Sequence, residues 1–321
     1  MIRIPRRGLL AATILAAPAV RAQSYPSRPI RAVVPFPAGG GVDAFARAVA
    51  PALSATLGQG VVIENLGGAS SRLGTVSVLR APADGHTILI TNDTLAAVEA
   101  LPIPGTGSLV AGLAPVLLGV SAPHALVVNP RAGIPDASTY AARLRSGRPP
   151  NIGVPGLGSA QHFASELLGQ ALGGRAEHVA YRGGGPLIVD VLSGTLDGGM
   201  VTLNAAIDHI RDGRLLALGT TGGGRSPAAP EIPTFAETIA PGFDIETWMG
   251  ILAPAGTPEP ILAALHAASL TALREPGVTR RLNGQGFSTP GLGPAPFGAL
   301  LQETVARFAA VAGAVGLKPD A

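Results

Sequence analysis

Two glycine-rich stretches hold the residue types with which this chain could do chemistry. Gly39, Gly40 and Gly41 precede Asp43, and Gly156 and Gly158 precede Ser159 and His162. A short apolar segment runs before each stretch, at 30–34, where it suits a buried strand, and from 151, and a helical pattern begins after it. Strand, glycine loop and helix together leave the first N–H groups of the helix unpaired. Those groups, with the positive helix end, suit an anion. Pro35 and Pro37 end the first strand's ladder, because proline has no N–H to donate. Ser159 fits the N-cap position. Asp43, in the first helical turn, is read as complementing the helix dipole rather than as a catalytic base.

Other chemistries fit these residues less well. Ser159, His162 and Asp190 make a hydrolase triad on paper, but no G-x-S-x-G turn surrounds Ser159. His162 is read as capping or packing the helix start. The six histidines show neither H-x-x-x-H nor H-E-x-x-H spacing, and there is no cysteine, so no metal site and no disulfide is expected. The strongest rival is a nicotinamide-dependent oxidoreductase with a Rossmann-like first unit. Gly39-x-Gly41-x-x-Ala44 opens a helix, and Glu64 ends the next strand about 20 residues on. Against it, Pro35-Phe36-Pro37 sets the glycines back from the strand end, and Asp43 would sit close to a pyrophosphate. No cofactor is expected.

The elements that position these loops form two βαβ units. Their helices bury Phe45, Ala48, Val49, Ala52 and Leu53 in one case and Phe163, Leu167, Leu168 and Ala171 in the other. Further strands and loops follow at 61–68 and 178–185. Asp43 to Asn65 spans 22 residues, as does Ser159 to Tyr181. Two matched units far apart in sequence predict two similar lobes facing each other. After the first unit come a helix over 70–80 and a strand over 86–92, whose end, Thr91-Asn92-Asp93, would lie beside the first loop, where open α/β sheets place ligands. Residues 101–112 read as a loop, 114–120 and 124–130 as two apolar segments, and 136–144 as a helix. Beyond the second unit the pattern gives a helix from Pro186, strands at 195–201 and 214–221, and a helix over 205–211 between them. A loop-rich stretch over 222–243 precedes a strand in 244–258 that returns to the first lobe. Helical segments at 258–273, 276–282 and 294–315 then cover that lobe. This alternation predicts parallel sheets. The expected division is a leader over 1–22, a first lobe from 23–124 and 244–321, and a second lobe from 125–243. Two crossings between lobes make a hinge. Trp248 and Tyr181 could line the cleft or belong to the core.

The amino terminus reads as a secretory leader. Arg3, Arg6 and Arg7 precede an apolar run over 8–20, and Val20-Arg21-Ala22 offers a cleavage site before Gln23. Pro5 stands where a twin-arginine signal prefers Ser or Thr, so both export routes stay open. The 23 basic residues include four leader arginines, leaving 19 against 20 acidic ones. With aromatics at 4% and no clustered positive charge, a nucleic-acid surface is excluded. No stretch beyond the leader is apolar for long enough to span a bilayer.

The segments PSRPIRAVVPFPAGGGVDAFAR, VVIENLGGA, RAPADGHTILI, NIGVPGLGSAQHFASELL, HVAYRGGGPLIVDVLSG, HIRDGRLLALGTT and MGILAPAGTP occur in that order. This order resembles the extracytoplasmic solute-binding subunits of tripartite tricarboxylate transporters, the Bug or TctC family, over nearly all of the chain beyond the leader. The resemblance implies an α/β, two-lobed type II periplasmic-binding-protein fold with a hinge and a central ligand cleft. It further implies a periplasmic, monomeric, non-enzymatic protein that holds a small carboxylate for the transporter's membrane subunits. A binding protein serving a sensor would have the same fold. Carried over by position, the first-loop contacts are Phe36, Gly39, Gly40, Gly41, Val42 and Asp43. Those of the second loop are Gly156, Leu157, Gly158, Ser159, Ala160 and His162, with Thr91, Asn92, Tyr181 and Arg182 at the rim. The chain departs from the family pattern at Val42, Leu66, Gly67, Pro155, Val201, Asn204 and the segment 101–112. These changes bear on distal specificity.

Overall fold

The computed structural model describes residues 25–316 apart from 104, 106 and 182, so the expected leader and Arg182 lie outside the described residues. The apolar run Ile30–Val34 forms β1, flanked in parallel by β2 (Val61–Asn65) and β3 (Thr87–Asn92). As the middle strand of the three it is buried on both faces, which explains its near-continuous apolar sequence. The helices α1 (Gly41–Leu57) and α2 (Arg72–Leu79) make the connections. A helix not anticipated from sequence, α3 (Thr94–Ala100), follows β3 directly and buries Leu95, Ala96, Ala97 and Val98.

The two apolar segments fall almost wholly in one 16-residue strand, β4 (Leu113–Val128). Helix α4 (Ala137–Leu144) starts at Asp136, whose side chain accepts the Thr139 N–H. The second unit supplies β5 (Asn151–Val154), α5 (Ala160–Ala171), β6 (Glu177–Ala180) and α6 (Gly184–Ser193). Then come β7 (Gly198–Thr202), α7 (Leu203–Arg211), β8 (Leu216–Thr220) and the single turn α8 (Phe235–Thr238). The chain returns as β9 (Glu246–Pro254) and ends in α9 (Glu259–Leu273), α10 (Pro276–Gly284) and α11 (Pro294–Val315).

The strand order is β2-β1-β3-β9-β4-β7-β5-β6, with β8 also on β4. The sheet is mixed, which corrects the expectation of parallel sheets. Strands β1–β3 and β5–β7 are parallel within their own units. β4 runs antiparallel to β7, β8 and β9, and β9 antiparallel to β3. Alternation of strand and helix governs each unit, but the strands that join the units arrive from the opposite direction.

The partners of β4 change midway. Leu113 to Pro123 pair with β9, whereas His124 to Val128 lie between β7 and β8. Buried Thr221 fastens this change of partner. Its backbone N–H donates to His124 O at 2.9 Å, its hydroxyl accepts the His124 N–H at 2.9 Å, and the same hydroxyl donates to Ile245 O at 2.5 Å. One side chain thus ties the outgoing strand to the returning one. The core is divided accordingly. One apolar cluster gathers β1, α1 and α9, and another gathers α3, α11, Trp248 and the first turn of α5. Phe163 of α5 stacks on Phe308 of α11 with ring centroids 4.4 Å apart. No described helix is long and apolar enough to cross a membrane.

Candidate anion-binding loops

The first loop lies at the carboxyl end of β1. Gly39 takes φ +87°, a left-handed conformation that glycine adopts without strain. Asp43 turns back over the loop. Its Oδ2 accepts the Gly39 N–H at 2.9 Å and Arg47 Nε at 2.9 Å, and its Oδ1 accepts Asn65 Nδ2 at 3.0 Å. Asn65 also donates to Phe36 O at 3.2 Å, so the end of β2 grips both sides of the turn. The Arg47 hydrogen bond, outweighing the effect of burial and aided by Gly39 and Asn65, holds the Asp43 carboxyl at a pKa of about 2. Asp43 is therefore a fixed, neutralised part of the loop. Its hydrogen bonds consume the Gly39 N–H but leave those of Gly40, Gly41, Val42 and Asp43 without acceptors among the described residues. The Val42 side chain is in the core, so this residue can offer a ligand only its backbone.

The second loop ends β5 in the same way. Gly158 has φ +73°, and its N–H donates to His162 Nδ1 at 3.0 Å. Ser159 is the N-cap of α5, and its hydroxyl accepts the His162 N–H at 3.2 Å. The N–H groups of Leu157, Ala160 and Gln161 remain unpaired among the described residues. Leu157 is exposed, whereas Ala160 and His162 are buried. Gln161 Nε2 donates to Thr202 Oγ1 at 3.0 Å, linking this loop to the amino end of α7. A Cβ on Gly158 would stand 3.2 Å from Leu101 Cδ1, so the second loop rests against the end of α3.

The remaining candidates separate by environment. Thr91 is fully buried near the end of β3 with its hydroxyl unpartnered, and Asn92 accepts the Thr94 N–H at 3.1 Å. Tyr181 donates to Asp190 Oδ2 at 2.6 Å, a bond that pushes its pKa up to about 12. Asp190 is thereby engaged away from His162, whose ring meets Gly158 and Glu166 instead, so Ser159, His162 and Asp190 do not assemble as a triad. Glu64 is paired with Arg31 at the sheet edge. Trp248 is a core residue. No hydrogen bond joins the two glycine loops among the described residues; they crown the separate parallel strand sets β1–β3 and β5–β7.

Four residues that shape the loops were not singled out from sequence: Arg47, Asn65, Glu166 and His178. Spacing of i,i+4 on a helix links Asp43 to Arg47 and His162 to Glu166, and that was the available signal. Asn65 and His178 lie one strand away, where sequence spacing carries no information.

A family model described as the tripartite tricarboxylate transporter family receptor, TctC, matches residues 45–317. The chain belongs to this family. Among its relatives, protein BugT of Bordetella pertussis is 31% identical over 97% of this chain and 96% of that protein. MatC from Rhodopseudomonas palustris, solved with bound malate, superposes with a TM-score of 0.78 at 32% identity, covering 89% of this chain and 99% of MatC. A second R. palustris protein, solved with adipate, gives a TM-score of 0.80 at 29% identity over 92% of this chain and all of that one. The fold is that of the TctC periplasmic binding proteins, so the strand order and the paired glycine loops belong to a solute receptor. The dinucleotide reading is set aside.

Proposed function

We propose that this TctC receptor captures a small organic carboxylate between its two glycine loops, for delivery to the membrane subunits of a tripartite tricarboxylate transporter. The observation that carries the reading is the pair of helix starts with unpaired N–H groups, at Gly40 to Asp43 and at Ala160 and Gln161. An anion is the ligand such groups satisfy. The one acid in either loop, Asp43, is turned inward and neutralised by Arg47, so it does not oppose a carboxylate. Malate and adipate in the related structures are both dicarboxylates, which supports that class.

In this reading Gly39, Gly156, Gly158, Ser159 and His162 shape the loops, while Phe36, Leu157, Asn92 and Tyr181 border the ligand. The protein acts as an exported monomer, cleaved after Ala22, and carries out no covalent chemistry. The lobes are 23–124 with 244–321, and 125–243, turning about the strands fastened by Thr221. Closure must follow from tighter ligand binding to the closed than to the open state.

A thermal-shift screen of the purified protein tests this, with malate, adipate, a tricarboxylate, an aromatic carboxylate, an amino acid, a neutral sugar and NAD. A ligand at about 100 times its Kd adds about 2.7 kcal/mol, which appears as a rise of several degrees in Tm. A carboxylate hit is the expected outcome. A shift with NAD or the sugar alone would overturn the proposal.

A further inference from the structure

We propose that Glu166 and His162 form a buried relay that sets the shape of the second glycine loop by fixing where the His162 proton sits, and that adding a second proton to this imidazole releases the loop. The proposal rests on the reading that this loop binds the ligand.

The argument begins with a tautomer. His162 is buried in the first turn of α5, and its Nδ1 accepts the Gly158 N–H at 3.0 Å. A nitrogen that accepts cannot carry the proton, so the neutral ring is protonated on Nε2. That nitrogen faces Glu166 Oε1, one helical turn on, at 3.7 Å. The same oxygen lies 3.2 Å from His178 Nδ1 on β6 and 3.4 Å from Arg175 just before it. His178 Nε2 in turn meets Ser165 Oγ at 2.9 Å. Burial pushes the Glu166 carboxyl up, but the two imidazoles and the Arg175 charge outweigh it and hold it well below the usual carboxylate range. An ionised, buried carboxylate thus faces the His162 N–H, favouring a proton on that side electrostatically, and the opposite ring nitrogen accepts the Gly158 N–H.

The surroundings leave few other groups to respond. Tyr140 of α4 is the further titratable side chain that feels Glu166, and α3 and α11 meet this end of α5 with Leu101 and Phe308. His162, Glu166 and His178 bring three ligand atoms within 4.8 Å of one another, a spacing that would admit a cation. The tautomer argues against one. A metal on His162 Nε2 would force the proton onto Nδ1, where it would face the Gly158 N–H. A second proton on the ring has the same consequence, donor against donor, and the Gly158 peptide must turn away. Protonation of the ring should therefore loosen the loop while a carboxylate ligand stays ionised.

The test is ¹⁵N NMR of the full protein, without ligand, titrated from pH 8 to pH 5. The expected result is a neutral His162 carrying its proton on Nε2 at pH 8, with the Gly158 amide resonance moving in step with protonation of the ring. In Glu166→Gln, amide exchange at Gly158 should be about tenfold faster, as expected for loss of a charged hydrogen-bond partner. A His162 protonated on Nδ1 at pH 8, or a Gly158 resonance that ignores the ring's titration, would overturn the relay. So would a rise in Tm with Zn²⁺ that His178→Ala abolishes, which would make the cluster a metal site. Calorimetric titration with malate at both pH values then bears separately on ligand binding. Failure of malate to bind counts against the ligand reading alone, because the relay is judged on the resonances.

Discussion

Asp43 shows how a side chain can serve a site without touching what binds there. It supplies acceptors for Gly39, Arg47 and Asn65, and Asp43→Ala would leave the Gly39 N–H without one and take one partner each from Arg47 and Asn65. Affinity for the carboxylate found in the screen should fall by about tenfold or more, at the cost of leaving hydrogen-bonding groups unpaired. Calorimetry should register that loss while the circular dichroism spectrum stays unchanged. A second acid, Asp93, has the opposite character. It is buried at the end of β3 with Thr247 as side-chain partner, and burial pushes its pKa up to about 7. Folded Asp93 therefore holds a proton that the unfolded chain, near 3.8, releases, so this group's contribution to stability falls as pH rises from about 4 to about 7. Asp93→Asn should raise Tm by a few degrees at pH 8 and change it little at pH 4. Equal shifts at both pH values in thermal melts would contradict this. At this scale the sequence was legible where a residue's role is local, as with the Ser159 cap and Asp43 in its helical turn. It was silent on Asn65 and His178, because nothing in a sequence tells which strand end will lie beside which loop.

Among the elements, β4 governs the arrangement. Pro123 lies within this strand although proline cannot serve a ladder from both sides. It sits at the end of the β9 pairing, immediately before β7 and β8 take over, where a missing N–H disturbs neither set of partners. The helices were easier to foresee, because their apolar period and their caps are written locally; α3 escaped notice as a single short stretch, TLAAVEA, without a polar face. Thr221 holds this region together, so Thr221→Val, nearly equal in shape, should destabilise by about 1–3 kcal/mol by stranding the His124 N–H. Urea denaturation should show the loss, and a variant as stable as the parent would deny Thr221 this role.

Across the whole molecule, the family resemblance was legible in the order of its motifs, whereas the mixed sheet was not. Periodicity reports whether a segment is a strand; direction and neighbours depend on contacts made far along the chain. The last helix illustrates this, since α11 packs on α3 and β4 and also meets α5 through the Phe163–Phe308 stack. It therefore touches the second βαβ unit as well as the elements beside the first. The sheet order carries a consequence for the birth of the protein. β3 ends at residue 92, yet the strand that lies between it and β4 begins at residue 246. Until that strand has been synthesised, the earliest part of the chain has an open seam through its centre and cannot close. A chain stopped at residue 243 should accordingly show no cooperative urea transition for its first hundred residues, and a sharp transition in that fragment would refute the idea. Long-range closure of this kind is slow. Delay built into the order of the strands keeps a nascent chain pliable until most of it has been made, which would suit the export proposed above.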